Sequence, residues 1–244
     1  MLRQIYIRHL NKLPDGINCA AAADGFTRLG VTVIPFYHPE ELEQAPLSEE
    51  VGVAGFIVDV NKAFDLLGFK PKMLDSYPNS LLSFFGRNVQ KTTLGKVRES
   101  DKPLFVKPVS QKLFTGLIFD NEYFSRVKTA IYSDELEVYS SEIVKFVSEY
   151  RSFGLNKQIL DVRRYAGDWS VAPNKEVIHN CYKAFHDAPS AFSLDFGVTD
   201  DGKTLLVEAN DALSLGNYGL NTEGYANMIE SRWTELVETY AHSR

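Results

Sequence analysis

The sequence predicts a two-lobed protein of mixed α/β (α+β) class. Three observations carry this: strand and helix signals alternate through the first third, short strands recur from Pro103 onward, and one amphipathic helix closes the chain. At 244 residues the chain can bury a substantial core, as one large domain or as two smaller ones sharing a cleft.

The opening reads as β-α-β. Gln4 to Arg8 is strand-like, Ile17 to Arg28 is an Ala-rich helical stretch closed by Gly30, and Val31 to Tyr37 is a β-branched run. A second unit follows, with Val53 to Val58 as a short apolar strand and Asn61 to Leu67 as a helix stopped by Gly68. Around Tyr77-Pro78-Asn79 the apolar pattern weakens, and Leu81 to Phe85 with Val89 to Val97 reads as helices crossing to the next lobe. A boundary near Ser100 divides the chain into a small α/β lobe, residues 1–100, and a second region, residues 101–244. Strands are expected at Leu104 to Pro108, Gly116 to Phe119, Leu136 to Ser140, Tyr150 to Leu155, Gln158 to Tyr165, Ala191 to Val198 and Thr204 to Asn210. From Glu223 to Ala241, the residues Tyr225, Ile229, Trp233, Leu236, Val237 and Tyr240 fall on one helical stripe.

Composition narrows the function classes. A formal net charge of −6 gives no global reason for nucleic-acid affinity. Cys19 and Cys181 lie far apart without a metal-type spacing, which fits a reducing compartment and no disulfide framework. The first residues are interrupted by Arg3, Gln4 and Arg8, and no apolar run is long enough to span a bilayer, so a cytoplasmic protein with no membrane partner is expected. His9, His38, His179 and His186 show no ligand spacing and are read as surface or structural residues.

Three segments carry candidate chemistry. In the run Ser193 to Asn210, Asp201-Gly202 reads as a two-residue hairpin turn between alternating apolar runs. With Asp200 facing Lys203, counting back sets Asp195 opposite Glu208 and Ser193 opposite Asn210, so Asp195, Glu208 and Asn210 share one face. Opposed carboxylates have Cβ atoms only ~5 Å apart, an arrangement that a cation between them would stabilise. Oxygen-only ligands favour Mg²⁺. The other reading is a solvated acidic face with a Lys or Arg nearby.

Lys107 lies inside the apolar strand Leu104-Phe-Val-Lys-Pro108, followed by Lys112 and Gly116. An ammonium there either meets an anion such as a phosphate or snorkels to solvent. In Ser141 to Arg151, Glu142 and Glu149 flank an apolar connector and Arg151 follows at the start of a strand. The two acids suit adenine amino and ribose hydroxyl donors and Arg151 suits a phosphate or carboxylate, or else the segment is a charged strand end paired with itself.

In this order, strand lysine, hinge acid, ribose acid, then Asp and Glu-x-Asn on neighbouring strands, the residues resemble the ATP-grasp superfamily. Phe105-Val-Lys107-Pro108, Glu149-Tyr-Arg151, Glu208-Ala-Asn210 and Gly216-Asn-Tyr-Gly219 look most like a compact group of these proteins from bacteria and their phages. The resemblance covers roughly residues 80 to 220 by motif and the first lobe by arrangement. It implies an ATP-grasp fold in which ATP is clamped between lobes, with Lys107 and Lys112 at the phosphates and Glu142, Val144 and Glu149 around adenine and ribose. It further implies Mg²⁺ on Asp195, Glu208 and Asn210. Arg87, Lys112, Arg151 and Arg164 are then candidates for the acyl phosphate and substrate carboxylate, with Lys107, Arg151 and Arg164 catalytic and Tyr218 facing substrate. The implied reaction is carboxylate activation by ATP followed by attack of an amine, on small-molecule or peptide substrates. A kinase or phosphotransferase, a nucleotide-binding regulatory module, and a partner-binding α/β protein with a merely solvated acidic hairpin are the alternatives.

Overall fold

The computed structural model describes residues 1–110 and 113–242. Lys112 therefore lies outside the described residues.

The first lobe is built on β1 (Gln4–Leu10), whose alternate residues Ile5 and Ile7 are fully buried. A short β2 (Leu13–Pro14) folds back on the end of β1, and α1 (Gly16–Arg28) leads to β3 (Thr32–Phe36), parallel to β1. A 3-10 turn (Pro39–Gln44) precedes β4 (Val51–Ala54), which pairs parallel with β1 as well. The strand expected to reach Val58 ends at Ala54. Ile57 and Val58 instead open α2 (Ile57–Leu66), because Asp59 accepts from the Phe56 amide at 2.8 Å and caps the first turn. Gly30 and Gly68 end their helices in left-handed geometry, φ +78° and +84°.

Leu81 to Phe85 forms a 3-10 turn (Asn79–Phe84) rather than a longer helix. The helix expected over Val89 to Val97 is replaced by strand β5 (Gln90–Thr93) and a short α3 (Leu94–Arg98). Thr93 is the switch, a β-branched residue ending the strand whose hydroxyl accepts from the Lys96 amide. With β6 (Leu104–Pro108), β7 (Leu117–Phe119) and β8 (Glu137–Ser141), β5 makes an antiparallel sheet in the order β5-β8-β6-β7. Its back face packs Leu94, Val97, Val106, Phe119 and Val138 beneath α3 and α4 (Tyr123–Thr129), a helix that the periodicity did not reveal.

The larger antiparallel sheet has the order β10-β9-β11-β12, from β9 (Phe146–Leu155), β10 (Gln158–Gly167), β11 (Ala191–Thr199) and β12 (Thr204–Asp211). Phe192, Leu194 and Phe196 face α5 (Lys175–Ala184) and the 77–85 segment. α5 also went unread, although Asn174 caps it by accepting from the Glu176 amide at 2.8 Å. On the opposite face Phe153 joins the core of the first lobe beneath α6 (Thr222–Ala241), whose Tyr225, Ile229 and Trp233 pack in the same cluster. Among the described residues no helix is long and apolar enough to cross a membrane.

The β11–β12 hairpin reaches the expected pairing by a different route. Its loop holds three residues, not two: the Gly202 amide donates to Thr199 O at 3.0 Å, Thr199 pairs with Lys203, and Gly202 is left-handed at φ +81°. That shifts the register near the turn, where Phe196 opposes Leu206. A bulge between Asp195 and Phe196, with Val207 as the extra residue of β12, restores it, so that Asp195 opposes Glu208 and Ser193 opposes Asn210.

Candidate active site

The face of the large sheet that carries Phe153 and Ser193 under α6 continues, two residues on, to Arg151, Asp195 and Glu208. Opposite it stands the face of the smaller sheet bearing Phe105 and Lys107 on β6 and Tyr139 and Lys91 on β8 and β5. The two faces meet where Lys107 Nζ donates to Glu208 Oε2 at 2.5 Å and to Ser76 Oγ at 3.0 Å. Lys107 therefore neither snorkels to open solvent nor lies unpaired.

The opposed carboxylates each have their own cation. Asp195, 3% exposed, receives Arg151 Nε at 2.8 Å and Nη2 at 2.7 Å, a two-pronged buried pair. Burial pushes the Asp195 carboxyl above the usual carboxylate range, against the pull of Arg151. Asn210 Nδ2 donates to Asp195 Oδ2 at 3.3 Å. Among the described residues no three His, Cys, Asp or Glu side chains gather as ligands, and the acid-acid-amide trio expected from the sequence includes an asparagine.

Arg151 also donates to the Gly216 carbonyl at 3.3 Å and lies 4.8 Å beneath the Tyr218 ring. Tyr218 stacks on Tyr165 with centroids 5.0 Å apart, while Tyr165 donates to Glu149 Oε2 at 2.9 Å. Burial first, then the charges of Asp195 and Glu149, raise the Tyr165 phenol far above its ordinary value, so it remains a donor.

Two cavities lie on either side of Lys107. Phe105 lines one of about 300 Å³, together with Ile118, Glu142, Val144, Phe146 and Glu149. Val109, two residues beyond Lys107, lines the other, of about 370 Å³, with Lys91, Asp75, Ser76 and Tyr139. Apolar side chains outnumber charged ones in the first, with Arg87, Glu142 and Glu149 among its walls, and the second mixes Lys91, Asp75 and Ser76 with apolar side chains such as Val109 and Leu74.

The sequence model of an ATP-grasp domain family, described as family 2 of its clade, matches residues 84–228. The chain belongs to the ATP-grasp superfamily, in that clade. No curated relative matches the sequence. Among solved structures, D-alanine–D-alanine ligase from Bacillus anthracis complexed with ATP is similar at 12% identity, covering 99% of this chain and 98% of the other with a TM-score of 0.56. N5-carboxyaminoimidazole synthetase from Staphylococcus aureus is similar at 11% identity over 94% of this chain and 77% of the other, TM-score 0.61. L-amino acid ligase from Bacillus licheniformis is similar at 12% identity over 97% and 75%, TM-score 0.58. At these identities the likeness is one of fold.

Of the candidate residues in this ATP-grasp chain, Lys107 with Glu208 and Arg151 with Asp195 and Asn210 form two bonded groups that the pairing of Asp195 with Glu208 sets side by side. Glu142, Val144 and Glu149 line the first cavity. Arg87 lines it too, but turns its guanidinium onto backbone, donating to the carbonyls of Phe85, Leu206 and Val207. Arg164 is brought to neither group. It opposes Tyr150, on the face away from Arg151, and donates to Gly167 O at 2.7 Å on the exposed edge. The sequence reading missed Ser76, Asp75, Lys91 and Tyr165. Lys91 Nζ lies 3.2 Å from Asp75 and 5.2 Å from the Tyr139 ring centroid, a second cation on the cleft face. Only a correct strand assignment for Gln90–Thr93 would have set Lys91 beside Tyr139 and so beside Lys107.

Proposed function

We propose that this ATP-grasp chain is an ATP- and Mg²⁺-dependent carboxylate–amine ligase acting in the cytoplasm. The observation that carries the reading is the Lys107–Glu208 contact across two sheets, with a cavity walled by Phe105, Ile118, Val144 and Phe146 on one side and a lysine-bearing one on the other. Adenine fits the slot lined by Phe105, Ile118, Val144 and Phe146, with Glu142 and Glu149 accepting from amino and ribose hydroxyl groups. The triphosphate then runs past Lys107 toward Lys91. Both lysines supply positive charge where the transferring phosphoryl group is most negative.

The donor set suits a hard cation, since Glu208, Asn210 and Asp195 offer oxygen from one sheet face. Asp195 has both oxygens on Arg151, so Glu208 and Asn210 are the readier ligands. When bound, Mg²⁺ would neutralise triphosphate charge and polarise the γ-phosphoryl group.

In the proposed reaction a substrate carboxylate oxygen attacks the γ-phosphorus and ADP leaves. An amine then attacks the acyl carbonyl, loses a proton and displaces inorganic phosphate. The chain's own part is to bind, orient and exclude water, with no protein nucleophile. Arg151, held by Asp195 beneath Tyr218, sits at the substrate end of the cleft and suits a carboxylate once Tyr218 yields. A small-molecule or peptide carboxylate and an amine acceptor are the partners this fits. Support comes from the family and from a fold shared with the amino-acid ligases named above.

The test follows the oxygen. With ¹⁸O-labelled carboxylate substrates, such as amino acids and short peptides, a ligase releases inorganic phosphate carrying one ¹⁸O and forms an amide detectable by mass. Phosphate retained on the product, with no labelled free phosphate, would make the chain a kinase and overturn the reading.

A further inference from the structure

We infer that Arg87 is a positioning residue that pins the β12 bulge, and through it sets Glu208 and Asn210 on the cleft face; the reading rests on the metal-facing role proposed for those two residues. In a regular strand successive carbonyls point to opposite sides, so one side chain cannot reach two in a row along one edge. Arg87 does reach two. Its Nη1 donates to Leu206 O at 3.1 Å and its Nη2 to Val207 O at 2.8 Å. This is feasible because the bulge at Val207 turns both carbonyls outward, away from β11.

The bulge decides which residues face the cleft. Near the turn β12 is in the register Phe196–Leu206, and without the extra residue that register would run on and set Val207 against Asp195. A one-residue slip sends every side chain to the other face, so Glu208 and Asn210 would turn toward the apolar core of Phe192, Leu194 and Phe196. β12 is an edge strand of its sheet, and among the described residues no neighbouring strand holds the bulge from outside. Two segments do that work instead. Ser76 O accepts from the Ala209 amide at 2.9 Å just beyond the bulge, and Arg87 spans the bulge itself.

The position of Arg87 is itself fixed. Gly86 is left-handed at φ +61°, and a Cβ there would stand 2.5 Å from a Leu205 methyl, so the backbone comes close to β12 just before the arginine. On the far side the Asn88 amide donates to Glu142 Oε2 at 2.9 Å. Residues 86–88 thus tie the edge of β12 to an acid lining the Phe105 cavity. Lysine cannot replace the fork, since its single nitrogen holds one carbonyl well but not two at set spacing.

The experiment compares wild type with Arg87→Lys and Arg87→Met by two readouts. Backbone amide exchange is followed across the chain, and a non-hydrolysable ATP analogue is titrated with and without Mg²⁺. The expected result is exchange at least about 10-fold faster at residues 205–210 in both variants, with β9 and β10 unchanged. The Mg²⁺-dependent gain in affinity should fall at least about 10-fold in both variants, beyond any change in Mg²⁺-free binding. Unchanged exchange at residues 205–210 in both variants would overturn the inference whatever the nucleotide does. An equal loss of binding with and without Mg²⁺, exchange unchanged, would make Arg87 a direct nucleotide contact instead. A wild type that binds no nucleotide would remove the proposed function, and the exchange data would still decide the clamp.

Discussion

Asp75 shows how one side chain joins the parts of the cleft. Its Oδ1 accepts from the Tyr77 amide and the Tyr139 hydroxyl, and its Oδ2 accepts from Lys91. Partial burial pulls its pKa upward, but the hydrogen bonds from Tyr139, the Tyr77 amide and Lys91 outweigh that and hold it below its ordinary 3.8. A depressed carboxylate adds stability that is present above its unfolded pKa and is lost as the pH falls through the folded one. The thermal midpoint of wild type should therefore exceed that of Asp75→Asn at pH 6, and the gap should close as the pH drops below 3.8. A gap that stays constant down to pH 2.5 would contradict this. At this scale the sequence was readable by residue type and order: Lys107, Glu142, Glu149, Glu208 and Asn210 all border the cleft. It did not reveal partners. Arg151 lies 44 residues from Asp195, and Ser76 lies 31 from Lys107, and nothing local marks either pairing.

Between elements, the buried pair Asp211–Arg232, extended by the half-buried Glu235, fastens α6 to the end of β12. Arg232, with its side chain 6% exposed, places Nη2 at 2.8 Å from Asp211 and Nη1 at 2.7 Å from Glu235. Asp211 also accepts from the Leu74 amide, and Glu235 from the Ser190 amide and hydroxyl. Helix, strand and the 74–77 strap are thereby fixed one residue past Asn210. Arg232→Met keeps the volume but leaves the Asp211 carboxylate buried without its cation, a change that costs about 3–5 kcal/mol. Denaturant unfolding should show a lower midpoint with an unchanged slope, and a loss under about 1 kcal/mol would show the network to be dispensable. The α6 stripe was visible because its period is long and regular, whereas Val89 to Val97 was misread because a four-residue strand and a five-residue helix adjoin directly, each too short to show a period. The hairpin gave the right pairing from a wrong turn: a loop residue too few and a bulge unseen cancelled.

At the scale of the whole molecule, two antiparallel sheets face one another across Lys107 and Glu208, and the first lobe with α6 closes one side through a shared core. That arrangement was legible from the order of the motifs, since neither β6 nor β12 carries enough information alone. The face of Asp195, Glu208 and Asn210 was legible too, but its internal cations were not, because Arg151 and Lys107 arrive from other strands. The account's central claim is that this face binds a metal–nucleotide pair. It is tested most directly by calorimetric titration of a non-hydrolysable ATP analogue, with and without Mg²⁺, into wild type and Glu208→Ala. The account predicts Mg²⁺-strengthened binding in wild type and a loss of that Mg²⁺ dependence in the variant, worth at least about 10-fold in affinity. No wild-type binding at millimolar nucleotide, or a Glu208→Ala variant with its Mg²⁺ dependence intact, would contradict it.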